Sequence, residues 1–163
     1  MFFRIILLIM LLPLAAAAQT TSPATNETSK NSDAPKNYVP GLEQFMGVIQ
    51  NEHAKLWYAG QARNWELAAY QLGEIKEVMS DVQDMVPTFK NLPLAQMLDA
   101  VITGPIAQLE KALDDKDSGK FATGYRDLTQ ACNSCHQAAG VGFIRIRQPV
   151  GAAFPNQDFS PRK

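Results

Sequence analysis

The sequence predicts an all-α fold, an up-down-up-down antiparallel four-helix bundle, and three observations predict it. From Tyr38 onward, apolar residues recur at three- and four-residue steps, the period of a helix face. The marked segments are separated by mostly short stretches carrying Gly, Pro, Asn and Asp. Short connections make successive helices antiparallel neighbours. No pair of runs alternates with the two-residue period of a hairpin.

The first element is not part of the bundle. Residues 1–18 hold one charge, Arg4, then the apolar run Ile5 to Leu12, then Ala15-Ala16-Ala17-Ala18. A positive start, a short apolar middle and a small-residue cleavage site predict a secretory signal peptide. The run falls short of the roughly 20 residues a spanning helix needs. Residues 19–37 contain no aromatic and no aliphatic side chain larger than Ala. They bury too little to offset chain entropy, which predicts a disordered spacer.

The bundle is expected over residues 38–147. Its first helix opens after Pro40 and carries Leu42, Phe45, Met46, Ile49, His53, Leu56 and Trp57, with Gly60 as a stop. Asn64 suits the N-cap of a second helix, whose stripe is Trp65, Ala68, Leu72, Ile75, Met79 and Val82, closed by Pro87. A third helix begins near Asn91-Leu92-Pro93 and runs through Leu94, Leu98, Ile102, Leu109 and Leu113; Pro105 should kink it. The acidic turn from Asp114 to Asp117 caps a fourth helix, which carries Phe121, Tyr125, Leu128, Cys132, Cys135 and Ala139 and ends near Gly140. The β-branched run Phe143-Ile144-Arg145-Ile146-Arg147 has no partner run and is expected to lie extended against the bundle. Residues 148–163, punctuated by Pro and Gly, read as a loose tail.

Charge and cysteine usage exclude several function classes. Leader removal leaves 145 residues, one domain, with fourteen basic against sixteen acidic side chains and a net charge of −2. That balance argues against nucleic acid and against a polybasic membrane patch. No cysteine stands near the cleavage site, so no lipid anchor is expected after cleavage. The two cysteines, Cys132 and Cys135, are too close together to staple a domain.

They belong instead to Cys132-Asn133-Ser134-Cys135-His136, the C-x-x-C-H pattern of covalent haem attachment. Positions i, i+3 and i+4 share one helix face. Both thiols can therefore reach the vinyl groups along one porphyrin edge, and His136 can present an imidazole to the iron as the proximal axial ligand. The other nitrogen of His136 should donate to a carbonyl or water. A thioredoxin-like C-x-x-C would open a helix after a strand, and none is predicted here. A structural zinc site needs four ligands, and only His53 remains as another histidine.

A leader, four helices and C-x-x-C-H in the last helix together resemble the cytochrome c′-like four-helix-bundle family, including its Met-ligated low-spin relatives. Globular cytochromes c place this motif near the N-terminus instead. The likeness runs from about Phe45 to Ala139 and takes in the turn Ala59-Gly60-Gln61-Ala62-Arg63-Asn64-Trp65. After His136 that family usually continues with an aromatic-Arg helical segment; here Gln137-Ala138-Ala139-Gly140-Val141-Gly142 interrupts the helix. The chain reads as a divergent or sister member. The resemblance implies one covalent haem c, a possible homodimer face on the first two helices, and Phe45 or Met46 opposite the haem.

Three residues compete for the distal side. Met46 and His53 lie seven residues apart, roughly 10.5 Å along a helix, so both cannot face one iron. In an antiparallel bundle His136 levels with the start of the first helix, which favours Phe45 or Met46 over His53. Met46 as sixth ligand makes a low-spin electron carrier. Phe45 as distal wall leaves a five-coordinate iron open to NO or CO, as the resemblance implies. Met46 as core filler and His53 as a packed core histidine are the plainer readings. The expected function is electron transfer in the periplasm with redox partner proteins. The alternatives are gas binding or a haem-bearing accessory or sensor module. No enzymatic role is expected beyond weak peroxidase activity, since an apolar distal face offers no acid–base pair unless His53 is that close.

Overall fold

Helix-forming faces of the predicted period give four α-helices: α1 (Leu42–Gln61), α2 (Trp65–Met85), α3 (Leu94–Asp114) and α4 (Ser118–Ala138). The computed structural model describes residues 38–151 and 154–162. The leader at 1–18 and the spacer at 19–37 lie outside the described residues. Among the described residues there is no β-strand, and no helix is long and apolar enough to cross a membrane.

The caps explain where the helices start. The Asn64 side chain accepts from the Leu67 amide at 3.2 Å. Asp117 Oδ1 accepts from the Gly119 and Lys120 amides at 2.9 and 3.0 Å. Each satisfies amides that the first helical turn leaves unpaired. Between α2 and α3, Phe89 and Leu92 exchange both backbone hydrogen bonds across Lys90 and Asn91. Lys90 and Asn91 both have positive φ, as a two-residue primed turn requires. The α3 helix runs through Pro105 without ending.

Each helix packs closely against the next in sequence and α1 also approaches α4, while the backbones of α1 and α3, and of α2 and α4, do not come close. The α1–α4 contact is the sparsest of the four. The shared core contains Leu56, Ala59, Leu72, Ile75, Val82, Leu109, Phe121, Tyr125 and Leu128. Around the α1–α2 turn it becomes aromatic. The rings of Trp57 and Tyr125 lie 4.9 Å apart, and those of Trp65 and Phe121 6.1 Å apart.

Two sequence expectations change here. Gly60, read as a helix stop, lies inside α1, and the residue with positive φ is Arg63. Gly60 is small because the Phe121 ring occupies the space a Cβ would fill. The tail, read as loose, is laid on α1 and the start of α2. Asn64 Nδ2 donates to the Ser160 carbonyl at 3.1 Å, the Tyr58 hydroxyl donates to the Gly151 carbonyl, and Phe159 packs 5.4 Å from the Tyr58 ring.

Gly60→Ala should therefore lower stability by about 1–3 kcal/mol through overpacking against Phe121, although alanine favours a helix. Thermal denaturation checks this. Adding Phe121→Leu to the same chain should return part of the loss, and a melting point unchanged by Gly60→Ala would refute the packing account.

Candidate functional site

Three residues of α4 build one wall of a cavity of about 250 Å³. Cys132, Cys135 and His136 share a helix face and all line it. The remaining wall is supplied by Leu42, Met46 and Ile49 of α1, Met79 of α2, Leu94, Leu98 and Ile102 of α3, and Val141, Ile144 and Ile146 beyond α4. Apart from the cysteines, the polar side chains lining it are Glu43, Gln50, His53 and His136. All four helices thus leave apolar surface facing a common space, the usual character of a cofactor or ligand site.

Both cysteines are free thiols. Burial, with a smaller contribution from Cys135, pushes the Cys132 thiol up to about 11, and burial also raises Cys135. Thiols that work in disulfide exchange are shifted the other way, toward the thiolate. Among the described residues, no three His, Cys, Asp or Glu side chains gather as a group that could hold a single metal ion. The motif presents two neutral thiols and one imidazole along an apolar wall.

His136 is held by the chain that follows it. The helix ends in a Schellman turn: the Val141 amide donates to the His136 carbonyl at 2.8 Å and the Gly140 amide to Gln137 at 3.1 Å. Gly140 takes a φ of 71°, which glycine adopts without penalty. The chain reverses and brings the Ile144 carbonyl to His136 Nδ1 at 2.9 Å. A carbonyl only accepts, so Nδ1 carries the proton and Nε2 keeps its lone pair. Asn133 then closes the reversal. Its Nδ2 donates to the Ile146 carbonyl at 2.9 Å, and its Oδ1 accepts from the Ile146 amide at 2.8 Å.

His53 also reaches the cavity but is otherwise engaged. The Thr129 hydroxyl donates to the Tyr125 carbonyl at 2.8 Å, so it accepts from His53 Nε2–H at 2.9 Å. The Tyr125 hydroxyl donates to His53 Nδ1 at 2.9 Å and lies 3.1 Å from the His53 carbonyl. The two rings stack at 4.4 Å. Burial lowers the His53 pKa to about 4 and raises that of Tyr125. The imidazole is neutral, and both its nitrogens have partners.

Among the residues singled out from sequence, Met46, His53, Cys132, Cys135 and His136 come together around the one cavity. Phe45 does not: it is buried in the bundle core and is not part of the cavity wall. Arg145 and Arg147 are exposed, while Ile144 and Ile146, which alternate with them, face the cavity. Sequence reading passed over Asn133, Thr129 and Phe89. Asn133 occupies a variable position of the motif, and its partner Ile146 is thirteen residues away.

The depressed His53 pKa fixes a pH dependence. Between about pH 6.5 and 4 the unfolded chain binds a proton at His53 that the folded chain does not. This contribution to stability is complete above pH 6.5 and falls by about 3 kcal/mol as the pH drops to 4. Urea denaturation at pH 7 and pH 4.5 should show the loss, and His53→Gln, which cannot titrate, should remove most of it. An equal pH dependence in the two proteins would disprove the assignment.

No protein-family model, curated protein or solved structure matches this chain.

Proposed function

We propose that this chain is an exported monohaem c-type cytochrome of the cytochrome c′-like four-helix-bundle family, acting in the periplasm as an electron carrier between redox partner proteins. In this reading Cys132 and Cys135 form thioethers to haem c, His136 is the proximal ligand, and Met46 is the sixth ligand. The bundle is antiparallel in this reading, which the pairing of His53 with Thr129 and of Gly60 with Phe121 supports.

The observation that carries the reading is the state of His136 beside two neutral thiols on one cavity wall. Its Nδ1–H is committed to the Ile144 carbonyl, which leaves Nε2 free to ligate. The donor set and the apolar lining both fit haem. When bound, haem supplies the one-electron iron couple; the chain supplies attachment, orientation and tuning. Ile49, Leu98 and Ile102 keep the cavity apolar. Met46 lines that cavity from the edge of the core and has no hydrogen bond to give up, whereas Phe45 is buried within the core. To ligate, His53 would have to give up the hydrogen bond at its ligating nitrogen, to Thr129 at Nε2 or to Tyr125 at Nδ1, worth about 1 kcal/mol net and more if a buried partner is left unpaired.

Absorption spectra of the haem-matured protein test this. A covalent haem should survive acidified-acetone extraction, and the iron should be low-spin in both redox states. Met46→Ala should convert it to a high-spin form that binds CO, while His53→Ala should leave the spin state unchanged. A five-coordinate iron in the unaltered protein, binding CO without displacing a side chain, would replace the carrier reading with gas binding in the same apolar cavity. Absence of haem after maturation would defeat both.

A further inference from the structure

We infer that Asn133 is the positioning residue for His136, setting its donor strength through the chain segment that follows α4. The inference deepens the haem reading and rests on it.

Two contacts run from the motif to the same short segment, one from each of two motif residues. His136 Nδ1–H donates to the Ile144 carbonyl, and the Asn133 amide pairs with both backbone groups of Ile146. Only a side-chain amide offers a donor and an acceptor side by side in the pattern a peptide presents. Asn133 therefore acts as a substitute strand neighbour for Ile146. Among the described residues no strand pairs with this segment, so its backbone has no regular ladder to hold it. It is fixed at its start by the Schellman turn and beyond Ile144 by Asn133. The Ile144 carbonyl sits between these two anchors.

The consequence is chemical as well as structural. A firm carbonyl acceptor on Nδ1 makes the imidazole a stronger donor at Nε2, which favours the ferric state. Loosening the segment weakens that bond, so the reduction midpoint should rise. Ser134, the other variable residue of the motif, is exposed and bonds only to the Gln130 carbonyl of its own helix. It is the matched control.

The experiment uses the full-length, haem-matured protein with Asn133→Leu, which keeps the size and removes both hydrogen bonds, and Asn133→Ala as a second variant. The readouts are the reduction midpoint by spectroelectrochemistry and the solvent exchange of the His136 Nδ1 proton by NMR. Both variants should raise the midpoint and speed the exchange about tenfold, while retaining a covalent haem. Ser134→Ala should change neither. A midpoint and exchange rate equal to the unaltered protein in both Asn133 variants would overturn the inference while leaving the haem reading intact. If the unaltered protein takes up no haem, the functional reading falls. The exchange of the Nδ1 proton in the haem-free chain then decides whether Asn133 positions His136.

Discussion

The narrow contact between α1 and α4 governs the rest of the structure. These helices touch less than any other neighbouring pair, and the cross-link between them is the buried set His53, Tyr125 and Thr129. Every polar atom in that set has a partner, so a costly burial becomes a specific one. On one side of it the aromatic rings of Trp57, Phe121 and Trp65 fill the space, and Gly60 admits Phe121. On the other side the α1 and α4 walls carry Met46, Ile49, Cys132 and Cys135, and a cavity remains. One joint thus divides the interior into a packed end and an open end.

An open apolar end is expensive in a small bundle. Facing walls that do not meet forfeit dispersion contacts, and a cavity lined by Leu and Ile costs free energy in proportion to its volume. Natural cores rarely keep such space without a use. A haem held there, as proposed, would bring such contacts to residues of all four helices, because it is apolar, planar and large. The neutral thiols fit the same account. A thiol buried against apolar walls is poorly suited to exchange chemistry but well placed to be consumed in a permanent thioether.

The helices were legible because their signals are local. Asn64 and Asp117 announce their caps, and the stripes of α1 to α4 have the right period. The gathering of Cys132, Cys135 and His136 on one face of α4 was legible because it is encoded in spacing along one helix. What escaped depends on contacts between distant residues. Gly60 gave a stop signal, but its small size answers to Phe121 on another helix. The tail looked loose by composition, yet two aromatics, Phe154 and Phe159, dock it against Tyr58. Phe45 and Met46 are adjacent, and one residue turns a helix by about 100°, so a small error in register exchanges core for cavity. His53 was legible as buried, but its partners Tyr125 and Thr129 lie on α4 and only packing brings them to it.

In the proposed haem reading, the same division of labour favours Met46 over His53 as the distal ligand. A ligand must be near the iron and must also cost little to release from its own partners. His53 is intrinsically the better iron ligand of the two, but it is the joint that holds α1 to α4. Detaching it would cost the Tyr125 and Thr129 hydroxyls their bonds to the ring and leave each with a backbone carbonyl alone. Met46 has the weaker donor atom but no hydrogen bond to break, and its flexible side chain already borders the cavity. The fold therefore spends its one buried histidine on holding the helices together and leaves the thioether free. That choice is consistent with a carrier, because thioether ligation raises the reduction potential and a filled sixth position removes the opening through which a gas would enter.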